Sequence, residues 1–500
     1  RGEVGAGALA DALAAPKGFT LDNALVASGE QLDGIFAHTM LQRCACADGA
    51  ENDFCESYVT VQWSGAGGVY DERGGDASDG DEVASQRAHR GQSKWIAAGA
   101  APAFATTTGK KFEAARLITS DSLADVCAAR RKPELGVQYG LLADTELGMG
   151  QAHQKFFLLR FRSTDDDGAR GVVRLVVSSG NCAAVTYSSA PSRQLVGLWW
   201  ADFPELRDPR PSAFRDALLH HARALVDART PTKHDKDRER ALERCEALFA
   251  ACARADFAAA DDADVRLVSS VPGFHDRDAA LGEDGVRAAF AEAAGGEKLD
   301  VAVVCHSFGG FGGSAGPERL RRLRGALAPN GGAMALFWPE RNDSELIDVK
   351  RRPDVGSDFA SDRSRLVKTL MGQSSLACLK APRDERARGN KFVWNPHLML
   401  YVLHDGHGAV RRALLTSANL SAAAWGRRRS ANDPENADVC DAKGALEIRS
   451  FELGVCVPVA PDAGEGFPFV FPPNSAGDCR YPYVGVRRND APTDKGHMYF

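Results

Sequence analysis

Apolar residues fall along this chain in short runs with two different periods. Phe19 to Leu25, Tyr58 to Trp63, Phe112 to Thr119, Phe156 to Phe161 and Val172 to Val177 are compact runs bounded by polar or turn residues. Asp264 to Val271, Leu299 to Cys305, Ala333 to Trp338 and Ala445 to Val455 are of the same kind. Runs of this length and flanking read as buried strands. Other segments carry apolar residues at helical spacing. In Pro211 to Val226, Phe214, Leu218 and Leu225 share one face, and Glu239 to Phe257, Asp284 to Ala294 and the stretch opening at Pro317 behave similarly. Across residues 18–63, Phe19 to Leu25, Leu32 to Phe36 and Tyr58 to Trp63 together supply an opening strand and helix, and Ser122-Leu-Ala-Asp opens a further helix by serine capping. The alternation predicts an α/β protein. Residues 1–17 read as a tail, 64–111 as a disordered insertion without period, and 427–443 as an insertion loop. A domain boundary is placed after the 264–271 strand, giving domains over 18–276 and 277–500.

One pattern occurs twice. From Asn395 the chain reads N-P-H-L-M-L-Y-V-L-H-D-G-H-G-A-V-R-R-A-L-L-T-S-A-N-L-S-A-A-A-W-G, ending at Gly426. It is a histidine, an apolar run, a Gly-rich turn, a second apolar run and Ser417-Ala418-Asn419. Earlier, His153-Gln154-Lys155 opens the run to Phe161, Asp165 to Gly168 form the turn, and Val172 to Val177 lead to Ser179-Gly180-Asn181. The repetition predicts a duplicated fold whose two half-sites make one active centre.

Composition narrows the classes. The 500 residues are 44% hydrophobic and 26% charged, as in ordinary globular proteins, and suffice for two to four domains. No run approaches the roughly 18 apolar residues of a membrane span, so no membrane association is expected. The start at Arg1 has neither an initiator Met nor an apolar h-region and reads as a trimmed chain. A net charge of −6 gives no general attraction to nucleic acid, so DNA contact must come from a local basic surface. Arg319, Arg321, Arg322 and Arg324 form a basic run that reads as a solvated face, or as a groove lining beside the Gly-rich loop His306 to Ser314. That loop, between a strand and a helix N-terminus, reads as a tight turn or a phosphate cradle. Twelve scattered cysteines fit reduced thiols. Cys44, Cys46, Cys55 and His38 lack a standard zinc spacing, so no metal or other cofactor is expected.

A lone His-x-Lys is weak evidence, and its context gives it meaning. On a strand, residues i and i+2 share a face, so His153 and Lys155 project together, with Asn181 arriving from the returning strand. His397 and Asn419 repeat the arrangement. Two such half-sites suit phosphodiester cleavage: one imidazole attacks phosphorus, and the other protonates the leaving oxygen and then activates water. Lysine and asparagine donors would hold the non-bridging oxygens. The alternative is a pair of buried structural histidines in unrelated hairpins.

With these residues in view, the chain resembles the tyrosyl-DNA phosphodiesterase family of the phospholipase D superfamily. P-H-L-M and S-A-N-L-S-A-A-A-W-G at 417–426 carry the resemblance most specifically. Gly197-Leu-Trp-Trp-Ala-Asp-Phe-Pro204, Val265 to Gly273, Ser450-Phe-Glu-Leu-Gly-Val455 and Ala491 to Tyr499 add to it. The resemblance covers roughly residues 110–500. It implies two similar phospholipase D-like α-β-α sandwich domains sharing one active site at their interface, acting as a monomer in the nucleus. The implied activity is metal-independent removal of tyrosyl peptide or other adducts from single- or double-stranded DNA 3′ ends. His153 would be the nucleophile and His397 the general acid and base, with Lys155, Asn181 and Asn419 gripping phosphate. Glu452 would orient His397, and Gln194 would orient His153. Ser307 and Ser314 would contact the DNA backbone, and Met149 would occupy a position where relatives can set an aromatic ring against DNA.

Met399 departs from this pattern, standing where the family has its second lysine. An unreplaced loss of one preorganised charge would cost about 3–4 kcal/mol, or 10²–10³ in rate. Arg411 has the right parity but lies too far along the strand from Asn419, and Lys391 is the remaining basic residue nearby. The alternative reading is therefore a DNA-end-binding homologue with impaired catalysis. A phospholipase or general nuclease fits less well, because asparagine stands in both half-sites where those enzymes use aspartate.

Overall fold

A computed structural model describes residues 9, 12–29, 37, 40–41, 57–63, 137–143, 151–165, 171–182, 196–228, 235–276, 280–305, 308–309, 316–339, 375–379, 397–405, 407, 409–428, 445–459, 484–487 and 497–499. Two compact units emerge from its contacts. The first comprises Arg1–Ala190, Leu198–Ala263 and Ser450–Leu453, and the second Pro191–Gly197, Asp264–Arg449 and Gly454–Phe500. The expected insertion at 64–111, the strand at 112–119 and the helix start at Ser122 lie outside the described residues. So do most of 427–443 and the candidate zinc ligands Cys44, Cys46, Cys55 and His38.

In the first unit the strands are β1 (Phe19–Ser28), β2 (Ser57–Trp63), β3 (Val137–Ala143), β4 (Gln151–Ala152), β5 (Lys155–Ser163), β6 (Gly171–Ser178) and β7 (Leu198–Pro204). A six-stranded sheet runs β3-β2-β1-β5-β6-β7. β1, β2 and β3 are parallel, and β5, β6 and β7 follow antiparallel. β5 and β6 are apolar on both faces and almost wholly buried, the pattern of strands covered on two sides. Helices α1 (Ala213–Asp227), α2 (Asp235–Arg254) and α3 (Ala258–Asp262) follow β7. α1 begins where Ser212 accepts a hydrogen bond from the Arg215 amide at 3.1 Å, and it buries Phe214, Leu218, His221, Ala222 and Leu225. Phe203, Phe214 and Phe257 pack ring on ring, with centroids 4.2–6.0 Å apart. Each such ring buried contributes about 1.5–3 kcal/mol. β7 was not read as a strand from sequence, because its Trp-Trp-Ala-Asp run at a sheet edge lacks a regular alternation.

The second unit has strands β8 (Arg266–Ser270), β9 (Gly273–His275), β10 (Asp300–Val304), β11 (Phe308–Gly309), β12 (Met334–Pro339), β13 (Ser375–Leu379), β14 (Leu400–His404), β15 (Val410–Thr416), β16 (Leu420–Ser421), β17 (Arg427–Arg428), β18 (Leu446–Ile448), β19 (Ser450–Pro458), β20 (Val484–Arg487) and β21 (His497–Tyr499). The first four residues of β19 belong to the first unit. Helices are α4 (Gly282–Ala294), α5 (Gly316–Leu327) and the single turn α6 (Ala422–Trp425). The run 445–455, expected as one strand, is two, β18 and β19, separated at Arg449, whose amide donates to the Ala423 carbonyl. Here β10, β12 and β13 are parallel, and β14, β15 and β19 follow antiparallel.

Strand parity divides the core of this unit. Val301, Val303, Met399, Tyr401, Leu403, Leu414 and Cys456 pack with Phe290, Leu320, Leu323 and Trp425. Ala302, Val304, Leu398, Leu400, Val402 and Ala413 form the opposite face. The two units thus share a strand pattern: three parallel strands, then an antiparallel hairpin whose first strand follows a motif histidine. In each, an asparagine closes the second strand of that hairpin.

Candidate active site

The first half-site grows from β4 and the first residues of β19. These run parallel, with Ser450 opposite Gln151 and Phe451 opposite Ala152, and the His153 amide continues the ladder by donating to the Phe451 carbonyl at 3.0 Å. The next side chains therefore meet: His153 Nδ1 lies 3.0 Å from Glu452 Oε2, with both side chains buried. On the other side of the ring, Lys155 Nζ lies 3.0 Å from His153 Nε2 and donates to the His153 carbonyl at 2.6 Å.

These contacts fix the imidazole's tautomer. A lysine ammonium only donates, so Nε2 accepts and the ring proton sits on Nδ1, directed at the Glu452 carboxylate. That Nε2 lone pair, held by the Lys155 ammonium, is the one that would attack phosphorus once the ammonium turns to the phosphate oxygens. Lys155 is 1% exposed, so its charge acts with little screening by water. Asn181 follows β6 after a turn in which the Gly180 amide donates to Ser178 Oγ at 2.8 Å. The Cys182 amide is tied to Ser28 Oγ at 2.9 Å. Asn181 is buried, and its Oδ1 has no hydrogen-bond partner among the described residues. Gly29 lets the end of β1 pass beneath the site, since a Cβ there would stand 2.8 Å from both the Ala152 oxygen and the His153 Cα.

The placement of Glu452 differs from the role implied by the resemblance. It was assigned to orient His397, yet its carboxylate is bound to His153. The reason is register: 299 residues separate the two in sequence, and only the parallel pairing of β4 with the start of β19 brings them together. Gln194, assigned to His153, lies outside the described residues, as do Met149, Ser307 and Ser314.

His221 is a residue that the sequence reading passed over. Its buried ring packs edge-on against Phe156 at 5.9 Å and Phe451 at 5.8 Å, the neighbours of Lys155 and Glu452 on their strands. Burial, with His220 beside it, lowers its pKa to about 3, so the ring is neutral at physiological pH. The available signal was its helical spacing from Phe214, Leu218 and Leu225.

In the second half-site His397 is half-buried and leads through Leu398 and Met399 into β14. Met399 is fully buried among Tyr401, Leu403, Leu414 and other apolar side chains, and its carbonyl accepts from the Thr416 amide at 3.1 Å. Asn419 follows β15 and is half-buried. Phe308 and Gly309 pair with Leu420 and Ser421, just after Asn419. Arg411 is exposed and lies 3.5 Å from Asp405 and 3.8 Å from Glu297, engaged away from the motif as its distance in sequence suggested. On α5, Arg321 pairs with Glu318, Arg322 with Glu283, and Arg324 donates to the Gly332 carbonyl. Arg321, Arg322 and Arg324 are thus engaged within their own unit. Among the described residues, no group of three or more His, Cys, Asp or Glu side chains is placed to hold a metal ion. No described helix is long and apolar enough to cross a membrane.

A family model matches the part of the chain that holds the second motif. The family model for tyrosyl-DNA phosphodiesterase matches residues 362–474. No curated protein sequence matches the chain. Among solved structures, yeast tyrosyl-DNA phosphodiesterase is 11% identical, covering 90% of this chain and 86% of its own, with a TM-score of 0.48. A mutant form of the yeast enzyme gives 12%, 90%, 84% and 0.49. Phosphatidylserine synthase from Haemophilus influenzae gives 11%, 92%, 81% and 0.41. The matched segment contains His397, Met399, Asn419, Trp425 and Glu452. Through it this part of the chain is similar to the tyrosyl-DNA phosphodiesterase family.

Proposed function

We propose that this protein is a nuclear DNA-repair phosphodiesterase that removes tyrosyl peptide, and other adducts, from DNA 3′ ends without a metal. In this reading its fold is a pair of phospholipase D-like sandwiches whose two histidines serve one phosphate. His153 Nε2 attacks phosphorus, the bond from phosphorus to the tyrosyl oxygen breaks, and His397 gives its proton to the departing phenolate. His397 then takes a proton from water, the hydroxide attacks phosphorus, and the P–N bond to His153 breaks to leave a 3′-phosphate. Lys155, Asn181 and Asn419 hold the non-bridging oxygens, and the Glu452 carboxylate supports the positive charge that His153 gains on attack. Ser307, Ser314 and Met149 face the DNA.

The observation that carries this reading is the triad of Lys155, His153 and Glu452. It orders the tautomer and puts the Nε2 lone pair in the grip of a buried cation that a phosphate would draw away. Incubation with a 3′-phosphotyrosyl oligonucleotide in EDTA tests it: free tyrosine and a 3′-phosphate end are expected, and an intact substrate at high enzyme concentration refutes it.

One observation favours a second reading. Met399 is fully buried among apolar side chains at the position of the family's second lysine, so that side chain brings no charge to the phosphate. A protein that retains 3′ ends tightly but releases no tyrosine would be an end-binding homologue.

A further inference from the structure

The second half-site contains a hydrogen-bond relay that no part of the proposed chemistry uses directly. Trp425 Nε1–H donates to the Tyr401 hydroxyl at 3.1 Å, and that hydroxyl donates to the Ala418 carbonyl at 3.0 Å. The two rings meet edge to face with centroids 5.2 Å apart. Tyr401 is fully buried, and Trp425 and Ala418 are 1% exposed. On its other side the Ala418 amide donates to Thr416 Oγ1 at 3.1 Å, and the Asn419 carbonyl accepts from the Ser421 amide at 2.8 Å. The peptide carrying Asn419 is thus held at both flanks.

The far end of the relay is also fixed. Ser421 Oγ accepts from the Ala424 amide at 3.1 Å, starting the turn that carries Trp425. Ser270 Oγ donates to the Ala424 carbonyl at 2.6 Å. Gly426 leaves the turn at φ +91°, a conformation that side chains rarely adopt. The serine, the Ala-Ala-Ala-Trp turn and the glycine therefore hold Trp425 where its N–H reaches Tyr401. A buried carbonyl needs a donor, and a phenylalanine at 401 or 425 would fill much of the space without supplying one.

We propose that Tyr401 and Trp425 are positioning residues for Asn419, fixing through the Ala418 carbonyl the peptide from which its side chain reaches the phosphate. The proposal rests on the phosphodiesterase reading for its catalytic consequence, but the relay itself is testable without turnover. Tyr401→Phe removes only the hydroxyl. Loss of one neutral buried hydrogen bond corresponds to about a 3–10-fold effect, expected in kcat for 3′-phosphotyrosyl cleavage with KM nearly unchanged. In an Asn419→Ala background the same substitution is expected to cost nothing further, because its effect passes through Asn419. Trp425→Phe is expected to act in the same direction. Hydrogen-exchange mass spectrometry on the intact protein supplies the second arm. Amides over 417–421 are expected to exchange about 3–10-fold faster in Tyr401→Phe than in wild type. If wild type cleaves nothing, the phosphodiesterase reading fails while faster exchange still upholds the relay. Unchanged exchange overturns the proposal whatever the activity. So does a kcat loss that adds in full to that of Asn419→Ala, which would indicate a general structural role.

Discussion

Replacing Glu452 with glutamine tests the site at its best-defined contact. The carboxylate oxygen is 3.0 Å from His153 Nδ1, and the paired side chains are only 4% and 8% exposed, so water screens little of the interaction. A hydrogen bond to a charged group in such a setting contributes about 1.5–3 kcal/mol, and attack by Nε2 turns the ring cationic, when that carboxylate matters most. Glutamine keeps the shape and an acceptor oxygen but removes the charge. The expected loss in the rate of tyrosine release is therefore about 10–150-fold. Rapid-quench measurement with a labelled 3′-phosphotyrosyl oligonucleotide separates the steps, because tyrosine leaves in the first and the protein–DNA adduct disappears in the second. Glu452→Gln is expected to slow the first step without letting the adduct accumulate. Tyrosine release within about 3-fold of wild type, together with a persistent adduct, would show that Glu452 serves the histidine that activates water. That outcome would refute the pairing with His153.

Other substitutions address the remaining features. Met399→Lys is expected to raise kcat by up to about 10²–10³-fold if its ammonium settles as Lys155 does, on the carbonyl two residues back. A folded variant that is no faster, measured beside retained end binding, would favour the end-binding reading. His221 has a folded pKa of about 3 against an ordinary value of 6.5, so between those values the unfolded chain binds the additional proton. Stability is then lost as pH falls from 6.5 towards 3, by about 1.4 kcal/mol per pH unit from this group. His221→Phe should flatten that slope in urea titrations taken across pH 4–6, and an unchanged slope would count against a neutral buried ring. Gln154 is buried, and neither of its amide atoms is hydrogen-bonded among the described residues. Gln154→Met should therefore stabilise the protein by about 1–3 kcal/mol in denaturant melts, whereas destabilisation would show an amide satisfied by buried water. Gly29→Ala should unsettle His153, since its Cβ meets backbone atoms that cannot swing aside. Activity within a factor of about 3 of wild type would contradict that close approach.

The sequence by itself determined the local elements and the repeated unit. The runs at 156–161 and 172–177 became β5 and β6, and the helical spacing at 211–226 became α1 with Ser212 as its cap. Such features are legible because period, capping and turn chemistry act between residues close in the chain. His153 and Lys155, two apart at the head of a strand, were expected together and are in contact. Long-range pairing decided the rest. Nothing local tells Glu452 which histidine it will meet; the parallel register of β4 with Ser450 and Phe451 does. The division of Ala445 to Val455 into two strands depends likewise on the Arg449 amide finding the Ala423 carbonyl. Sequence flagged Met399 as a missing charge, and the tertiary structure showed where its side chain goes, into the apolar core beside Tyr401. Strand order and register arise from contacts between residues hundreds of positions apart, and these fix which side chains share a site.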